Sequence, residues 1–455
     1  MVMPDKYEDL VKALLEKVKV DEAEIRLSKE DTSLTRYANS RIHQNIAQEN
    51  TTVSIRAVDG KKVGSATTNS IDEKSLEECL RRAEKIAKHQ KEDPQYKGLP
   101  EPKEGRSGKA PYDKETAKYS PDKRAEIVKQ IIDHGSSKDV DRMYGAFKTE
   151  ELNLMIANTE GIHKSSTMTN ANLTSTAIAD WDNDQGFGWS EACSYDVKNI
   201  DYMEVAKTAV EKGLDNMNTE SIDLGEYTVV LEPLAVQLML MYFGFMGFSS
   251  RSVQEQRSFM NGKFGEQIVD ERVNIYDDAL DDDMIGFPFD YEGLPKERVD
   301  IIKDGVANEV VYDSYTAGRD EEDKESTGHA LPMPNSQSPM PLNLLMDSGD
   351  SSVEEMIEET DKGILVTRFN YCRPVHPVKS ILTGLTRDGT WLIEDGEVTK
   401  PVKNLRFTQN LLKAFDSVEL IGKERKMYSL GYFPGYITAP AMKIPNFNFT
   451  GTTEF

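Results

Sequence analysis

The sequence predicts an α+β fold, with a mixed N-terminal half of antiparallel sheets and helices and a β-rich C-terminal domain. Three observations carry that expectation. Residues 5–19, 72–89, 121–134 and 202–214 read as helices. Between them, residues 51–58 and 143–179 alternate apolar with polar side chains, the period of a strand with one buried face. Beyond residue 300 the pattern turns to short strands and turns, and no repeat appears at the periods of solenoids or propellers.

Each element has a local reason. In residues 5–19, Leu10, Leu14, Leu15 and Val18 share one helical face, with charges between them. A strand-like AEIRL follows at 23–27. TTVSIRAV at 51–58 ends on Asp59-Gly60, a hairpin signal leading into 62–67. Asn69-Ser70 or Asp72 opens the next helix, which carries an apolar stripe of Leu76, Cys79, Leu80, Ala83 and Ile86. Cys79 sits in that stripe as a small core filler. Residues 91–118 hold Pro94, Pro100, Pro102 and Pro111 among many charges, and read as a linker or surface excursion. Ser120 then caps a helix whose first position is Pro121. The long strands of 143–179 turn at Thr159-Glu160-Gly161. YTVVLE at 227–232 is a buried strand, broken by Pro233 and followed by a helical run of Met and aromatic residues. Three domains are expected: an α+β domain at 1–110, a central α+β domain at 111–222 and a β-rich domain at 223–455.

Composition narrows the function. Lys plus Arg is 55 and Asp plus Glu is 79, a formal charge of −24. Such an excess repels phosphate backbones and anionic lipid, so neither nucleic acid nor a membrane surface is an expected partner. Hydrophobic residues make up 38%, enough with glycine to bury a sizeable core. The three cysteines, Cys79, Cys193 and Cys372, are too few and too scattered for a disulfide scaffold or a four-cysteine zinc site. The first residues show no basic-then-apolar leader. The most apolar run, 234–248, is interrupted by Gln237 and falls short of the roughly 20 residues that span a bilayer. A cytoplasmic location is expected.

Candidate chemistry is sparse. Of the six histidines no two lie three or four apart, so no helix presents a His pair to zinc. Cys372 and His376 fall in YCRPVHP at 371–377, where Pro374 and Pro377 prevent a helix and imply a loop. Asp277-Asp278 and Asp281-Asp282-Asp283 form a carboxylate patch without the glycine and closing Glu of a calcium loop, and mutual repulsion favours a solvated turn. Ser326-Thr-Gly-His329 places two hydroxyls beside an imidazole. A triad cannot be read from adjacency, because its members meet in space.

Several segments together resemble the TldD/PmbA family, also called TldE or modulator-of-gyrase proteins. They are AEIR at 23–26 and VSIRAVDGKKVG at 53–64, then YTVVL at 227–231, GKFGE at 262–266 and VNIYDD at 273–278. YDSYTA at 312–317, STG at 326–328, Asn343, GILV at 363–366, Thr383-Gly384, EDG at 394–396 and Asn410-Leu411 continue in the family's order.

The resemblance implies a metallopeptidase system that degrades or processes unfolded peptides. In it a TldD-type subunit bears HExxxH on a central helix and a late cysteine. Here the corresponding stretch falls near Met241-Tyr-Phe-Gly-Phe-Met246, residues 225–262 contain no His or Cys, and no cysteine follows Cys372. The chain thus resembles the PmbA/TldE branch, with no catalytic residue and no metal ligand of its own. The resemblance further implies zinc in a TldD-type partner, a heterodimer with that partner or a homodimer, and extended peptides as substrates. The family's active region places candidate substrate-binding residues at Ser326, His329 and Asn343, in a pocket between residues 238–248 and 326–329. Two other readings remain open. One is a stand-alone peptidase using Ser326 or Cys372 near His329 or His376; the other is a non-enzymatic, homodimeric peptide-binding regulator.

Overall fold

Six strands of the N-terminal half form one antiparallel sheet. A computed structural model describes residues 5–181, 184–431 and 435–452. Helix α1 (Asp5–Leu15) leads into β1 (Glu22–Ala38), β2 (Arg41–Asp59) and β3 (Lys62–Thr68). Next come α2 (Glu73–His89), the one-turn α3 (Lys114–Ala117) and α4 (Pro121–Ser136). The long pair β4 (Arg142–Asn158) and β5 (His163–Trp181), then β6 (Asp184–Ser194) and α5 (Tyr202–Asp215), complete this half. The strand order is β3-β2-β1-β4-β5-β6, so β1 pairs directly with β4 and the sheet runs on across residue 110.

Side-chain parity divides the two faces of this sheet. Ile25, Leu27, Val53, Ile55 and Met155 turn one way and bury against α1 and α2. Tyr37, Phe147, Leu173 and Ala177 turn the same way and bury against α4 and α5. Residues of the other parity, among them Ser28, Glu30, Glu150, Met168 and Asn170, face the C-terminal domain. The α2 stripe explains its own docking: Asp72 caps Ser75 N–H at 2.9 Å, and Leu76, Cys79, Leu80 and Ala83 are buried. Burying each leucine of that stripe stabilises by about 1.5–3 kcal/mol. Gly64 permits the close approach of β3, since a Cβ there would lie 2.2 Å from the Ala87 nitrogen.

The proline-rich stretch between α2 and α3 is a strap across both halves. Leu99 N–H donates to Glu22 at 2.7 Å, and Asn158 Nδ2 donates to the Pro100 carbonyl at 2.8 Å. Further along, Arg106 pairs with Asp278 at 2.8 Å and Lys103 with Glu325 at 2.6 Å, both in the C-terminal domain.

That domain holds β7 (Gly225–Leu231), helix α6 (Pro233–Gly247), β8 (Ile275–Asp277), β9 (Val299–Lys303), β10 (Val306–Ala307) and β11 (Asn343–Met346). It continues with β12 (Lys362–His376), β13 (Ile381–Glu394), β14 (Glu397–Pro401), β15 (Leu405–Asn410), β16 (Leu420–Ser429) and β17 (Tyr436–Thr452). β7, β12, β13, β15 and β17 pair in turn, and β17 returns to β7, so these strands close on themselves. Phe369, Phe407, Phe447 and Phe449 pack in that ring, with centroids 4.5 Å apart for the first pair and 5.5 Å for the last. α6 shares this core.

Two expectations are corrected here. The C-terminal strands are not all short: β12 spans 15 residues, β13 spans 14 and β17 spans 17. Their register shifts, between Asn370 and Arg373 and between Pro374 and His376, break the alternation that would reveal them in sequence. Residues 371–376 are therefore a bulged end of β12, with Pro374 opposite Leu382, rather than a loop, and Pro377 opens a short turn of 3-10 helix. Among the described residues no helix is long and apolar enough to cross a membrane.

Candidate binding cleft between the sheets

The polar face of the first sheet meets the C-terminal domain around a cavity of about 490 Å³. One wall comes from β1, β4 and β5 through Arg26, Glu30, Lys148, Glu150 and Asn170. The opposite wall comes from loops carrying Asp290, Tyr291, Lys296 and His329, together with Asn343 at the start of β11.

A buried polar network holds the second wall. His329 is 1% exposed, and its Nε2 lies 3.0 Å from Asp277 Oδ1. Asp277 Oδ2 accepts the Asn343 N–H at 2.7 Å. Lys296 Nζ donates to Asn343 Oδ1 at 2.7 Å and lies 3.6 Å from Asp277, while Asn343 Nδ2 donates to the Ile285 carbonyl at 2.9 Å. Burial alone would raise the Asp277 carboxyl. The Lys296 ammonium, with His329 and the Asn343 N–H, overcomes that and holds it at about 2. Burial pushes the His329 imidazole below its ordinary value. A neutral ring with Nε2–H donating to Asp277 and Nδ1 facing the Thr327 hydroxyl at 2.9 Å satisfies both partners.

Asp290 supports the neighbouring loop from the same wall. Its Oδ1 accepts N–H groups of Glu292 at 2.9 Å and Leu294 at 3.0 Å, and its Oδ2 accepts that of Ala330 at 2.9 Å. Burial, then the nearby Glu292 carboxylate, push its carboxyl well above the usual carboxylate range.

The structure thus brings His329 and Asn343 together through Asp277, and both line the cavity. Ser326 stands outside its wall: Ser326 Oγ accepts the Gly328 N–H at 3.2 Å and donates to the Tyr312 carbonyl at 3.3 Å, closing a turn. The expected solvated carboxylate turn is half wrong. Asp277 and Asp278 are buried because each has a cation, Lys296 and Arg106, whereas Asp282 and Asp283 are exposed. Lys296, Asp290, Glu150 and Asn170 were not singled out in the sequence. The one available signal was Asp277 ending the apolar Ile275-Tyr276 pair, a carboxylate in a strand context.

Among the described residues no candidate nucleophile is gathered with a base at the cavity. Cys372 is buried behind Gly384, and burial pushes its thiol up to about 12, while His376 on the same strand is exposed. The hydroxyl in contact with His329 among the described residues is that of Thr327, which also lies 3.1 Å from the Tyr312 carbonyl and accepts the Tyr312 N–H at 2.8 Å. It does not line the cavity.

Helix α6 borders a different space. Its Gly244 and Phe245 touch a second cavity of about 410 Å³, with Arg251, Arg257 and Ser336. The helix and the 326–329 loop therefore do not enclose one pocket, as the sequence suggested. Phe243 packs against Phe415 at 4.8 Å and Phe259 at 5.2 Å between ring centroids, and Met246 is 2% exposed. Tyr242 Oη donates to the Cys372 carbonyl. These side chains do not fit a zinc ion, and among the described residues no three His, Cys, Asp or Glu groups converge on a metal position.

Comparison with known proteins places this geometry. The profile of the PmbA/TldA metallopeptidase domain 1 matches residues 23–87, its central domain matches 114–217 and its C-terminal domain 224–451. The chain belongs to the PmbA/TldD family. TldE from Thermococcus kodakarensis shares the fold with a TM-score of 0.88 at 22% identity, over 98% of this chain and 100% of that one. A metalloprotease of Methanocaldococcus jannaschii is 25% identical over 250 residues, 54% of this chain and 53% of its own length. The metalloprotease PmbA of Escherichia coli O157:H7 is 24% identical over 337 residues, 72% of this chain and 71% of its own. The chain spans about half the length, or less, of the first curated relatives it matches. Like other PmbA/TldD proteins, it is metalloprotease-like in architecture.

Proposed function

We propose that the chain is a PmbA/TldE-type subunit that binds extended peptides in the inter-sheet cavity and leaves hydrolysis to a zinc-bearing, TldD-type partner. The observation that carries this reading is the use of residues 241–246 on α6. Phe243 and Met246 are committed to the aromatic core, and Tyr242 holds a β12 carbonyl, so none offers a metal ligand or activates water. A peptide there would be held by side chains rather than by a free strand edge, since β1, β4 and β5 are each paired on both sides and Glu30, Glu150, Asn170 and Lys296 face the cavity.

The test uses the full chain alone and mixed with an HExxxH-bearing homologue. Alone, it should show no turnover of an unfolded fluorogenic peptide. Mixed, the two should co-elute and cleave the peptide faster than the homologue by itself. Turnover by the isolated chain that His329→Ala abolishes would replace this reading with a stand-alone peptidase. Self-association without any binding to the homologue would favour a homodimeric peptide-binding regulator.

A further inference from the structure

The sheet wall of the inter-sheet cavity carries hydrogen-bond acceptors that the fold leaves unused. Asn170 is 2% exposed and lies on that wall. Its Nδ2 donates to Glu150 Oε2 at 3.1 Å, and its Oδ1 finds no partner among the described residues. The amide cannot be reversed, since that would set its oxygen against a carboxylate oxygen. An orphaned buried acceptor of this kind costs about 1–3 kcal/mol unless something donates to it.

Carboxylates flank the orphan. Glu150 stands directly opposite Asn170 in the β4–β5 register. Glu30 lies on β1 opposite Leu152, two residues from the Thr32–Glu150 pairing, so it is the diagonal neighbour of Glu150 on the same face. Glu150 already engages Lys148 at 2.9 Å and the Thr32 hydroxyl at 3.2 Å. Glu30 forms no ion pair among the described residues. Its carboxyl is raised by burial and by the Glu150 charge, the condition a cation would relieve. Lys148 pairs with Glu150, and Arg26 on the same wall is turned to the Ser54 hydroxyl and the Tyr291 ring, so Glu30 is the carboxylate left without a bonded cation, which suits a monovalent cation better than a divalent metal. An ammonium has three N–H donors and no acceptor, matching Glu30, Asn170 Oδ1 and the remaining Glu150 lone pair.

We propose that this wall is a subsite for a primary ammonium group, supplied by a lysine side chain or by the N-terminus of a bound peptide. The peptide as its source rests on the function proposed above; the amine preference itself rests on Asn170, Glu150 and Glu30. Calorimetric titration of the full chain with Nα-acetyl-lysine amide, glycine amide and their fully acetylated counterparts tests it, alongside an unstructured peptide with and without its amines acetylated. The expected result is binding of at least one free amine and none of the acetylated probes. Glu30→Gln should weaken the bound amine by about tenfold, the size of one charge-assisted hydrogen bond. Glu30 stands at the exposed rim and its charge is opposed by partial burial and by Glu150, so the thermal midpoint of this variant should not fall below the wild-type value. Whether the lysine or the glycine probe binds identifies the source. Peptide binding that is indifferent to acetylation would overturn the ammonium subsite and leave the peptide reading standing. Amine binding without peptide binding would do the reverse, and no binding of any probe would sink both.

Discussion

The core around α6 and the cleft between the sheets solve burial in opposite ways. Around α6, Phe243, Phe248, Phe259 and Phe415 fill space with rings, and their contacts have few polar requirements to satisfy. In the cleft and beside it, charged groups are taken out of water and must each find a partner. Arg56 on β2 is 6% exposed and bridges Glu24 at 2.7 Å to Glu292 of the C-terminal domain at 3.1 Å. The lesson concerns tolerance. An apolar core loses stability in proportion to the volume removed, whereas a buried ion network fails when a single charge is deleted.

The largest effect should therefore come from Arg56→Ala. It strands the Glu24 and Glu292 carboxylates in a site where Asp313 already adds repulsion on Glu292. The expected loss is about 3–5 kcal/mol in urea unfolding. A loss under about 1 kcal/mol would mean that water enters and replaces the guanidinium, and the contrast between the regions would weaken.

Acid provides the next largest effect, and it acts on the cleft rather than on the α6 core. Asp277 is held at about 2, below its ordinary value, so its contribution is present above the unfolded value and lost as pH falls towards 2. The depression corresponds to about 2 kcal/mol. His329 is also depressed, so burying it neutral favours the fold above its unfolded value near 6.5, and that contribution declines as pH drops below it. Stability should fall from about pH 6.5 downwards and more steeply below about pH 4. Asp277→Asn should flatten the lower limb. A wild-type profile that stays level from pH 6 to pH 3 would contradict the network.

Much of the scaffold was legible because local chemistry and global packing agree there. Asp72, Ser120 and the Asp59-Gly60 hairpin announce α2, α4 and the β2–β3 turn, and each sits where its side chain or backbone demands. The long β12 was not legible, because its bulges and Pro374 interrupt the period of two on which a strand is recognised. The site was half legible. His329 and Asn343 could be named from motif order, but Lys296 and Asn170 approach them only through tertiary pairing, 47 residues apart for Lys296 and Asn343. Asp277 misled for a physical reason: a run of carboxylates repels itself into solvent unless cations from distant segments arrive, and here Lys296 and Arg106 do.

A modest effect should separate volume from charge. Phe243→Leu keeps the α6 core apolar while removing part of a ring packed on three others, and should cost roughly 1–2 kcal/mol. It should do so equally at pH 7 and pH 4, since no titrating group takes part. A pH-dependent cost would show that the core and the acid-sensitive network are coupled, and the two regions could no longer be treated as separate.

The smallest effect should come from Ser326→Ala. Ser326 Oγ bridges the Gly328 N–H and the Tyr312 carbonyl at the edge of the loop that delivers His329, and it is only half-buried, so water can replace both bonds. Its removal should cost under about 1 kcal/mol and leave peptide affinity within twofold of wild type. His329→Gln, by contrast, changes a group on the cavity wall that is bonded to Asp277, and should alter affinity more than Ser326→Ala does. If Ser326→Ala weakened peptide binding more than His329→Gln, the loop turn rather than the Asp277 network would be what shapes the wall, and the cleft would depend on backbone geometry instead of buried charge.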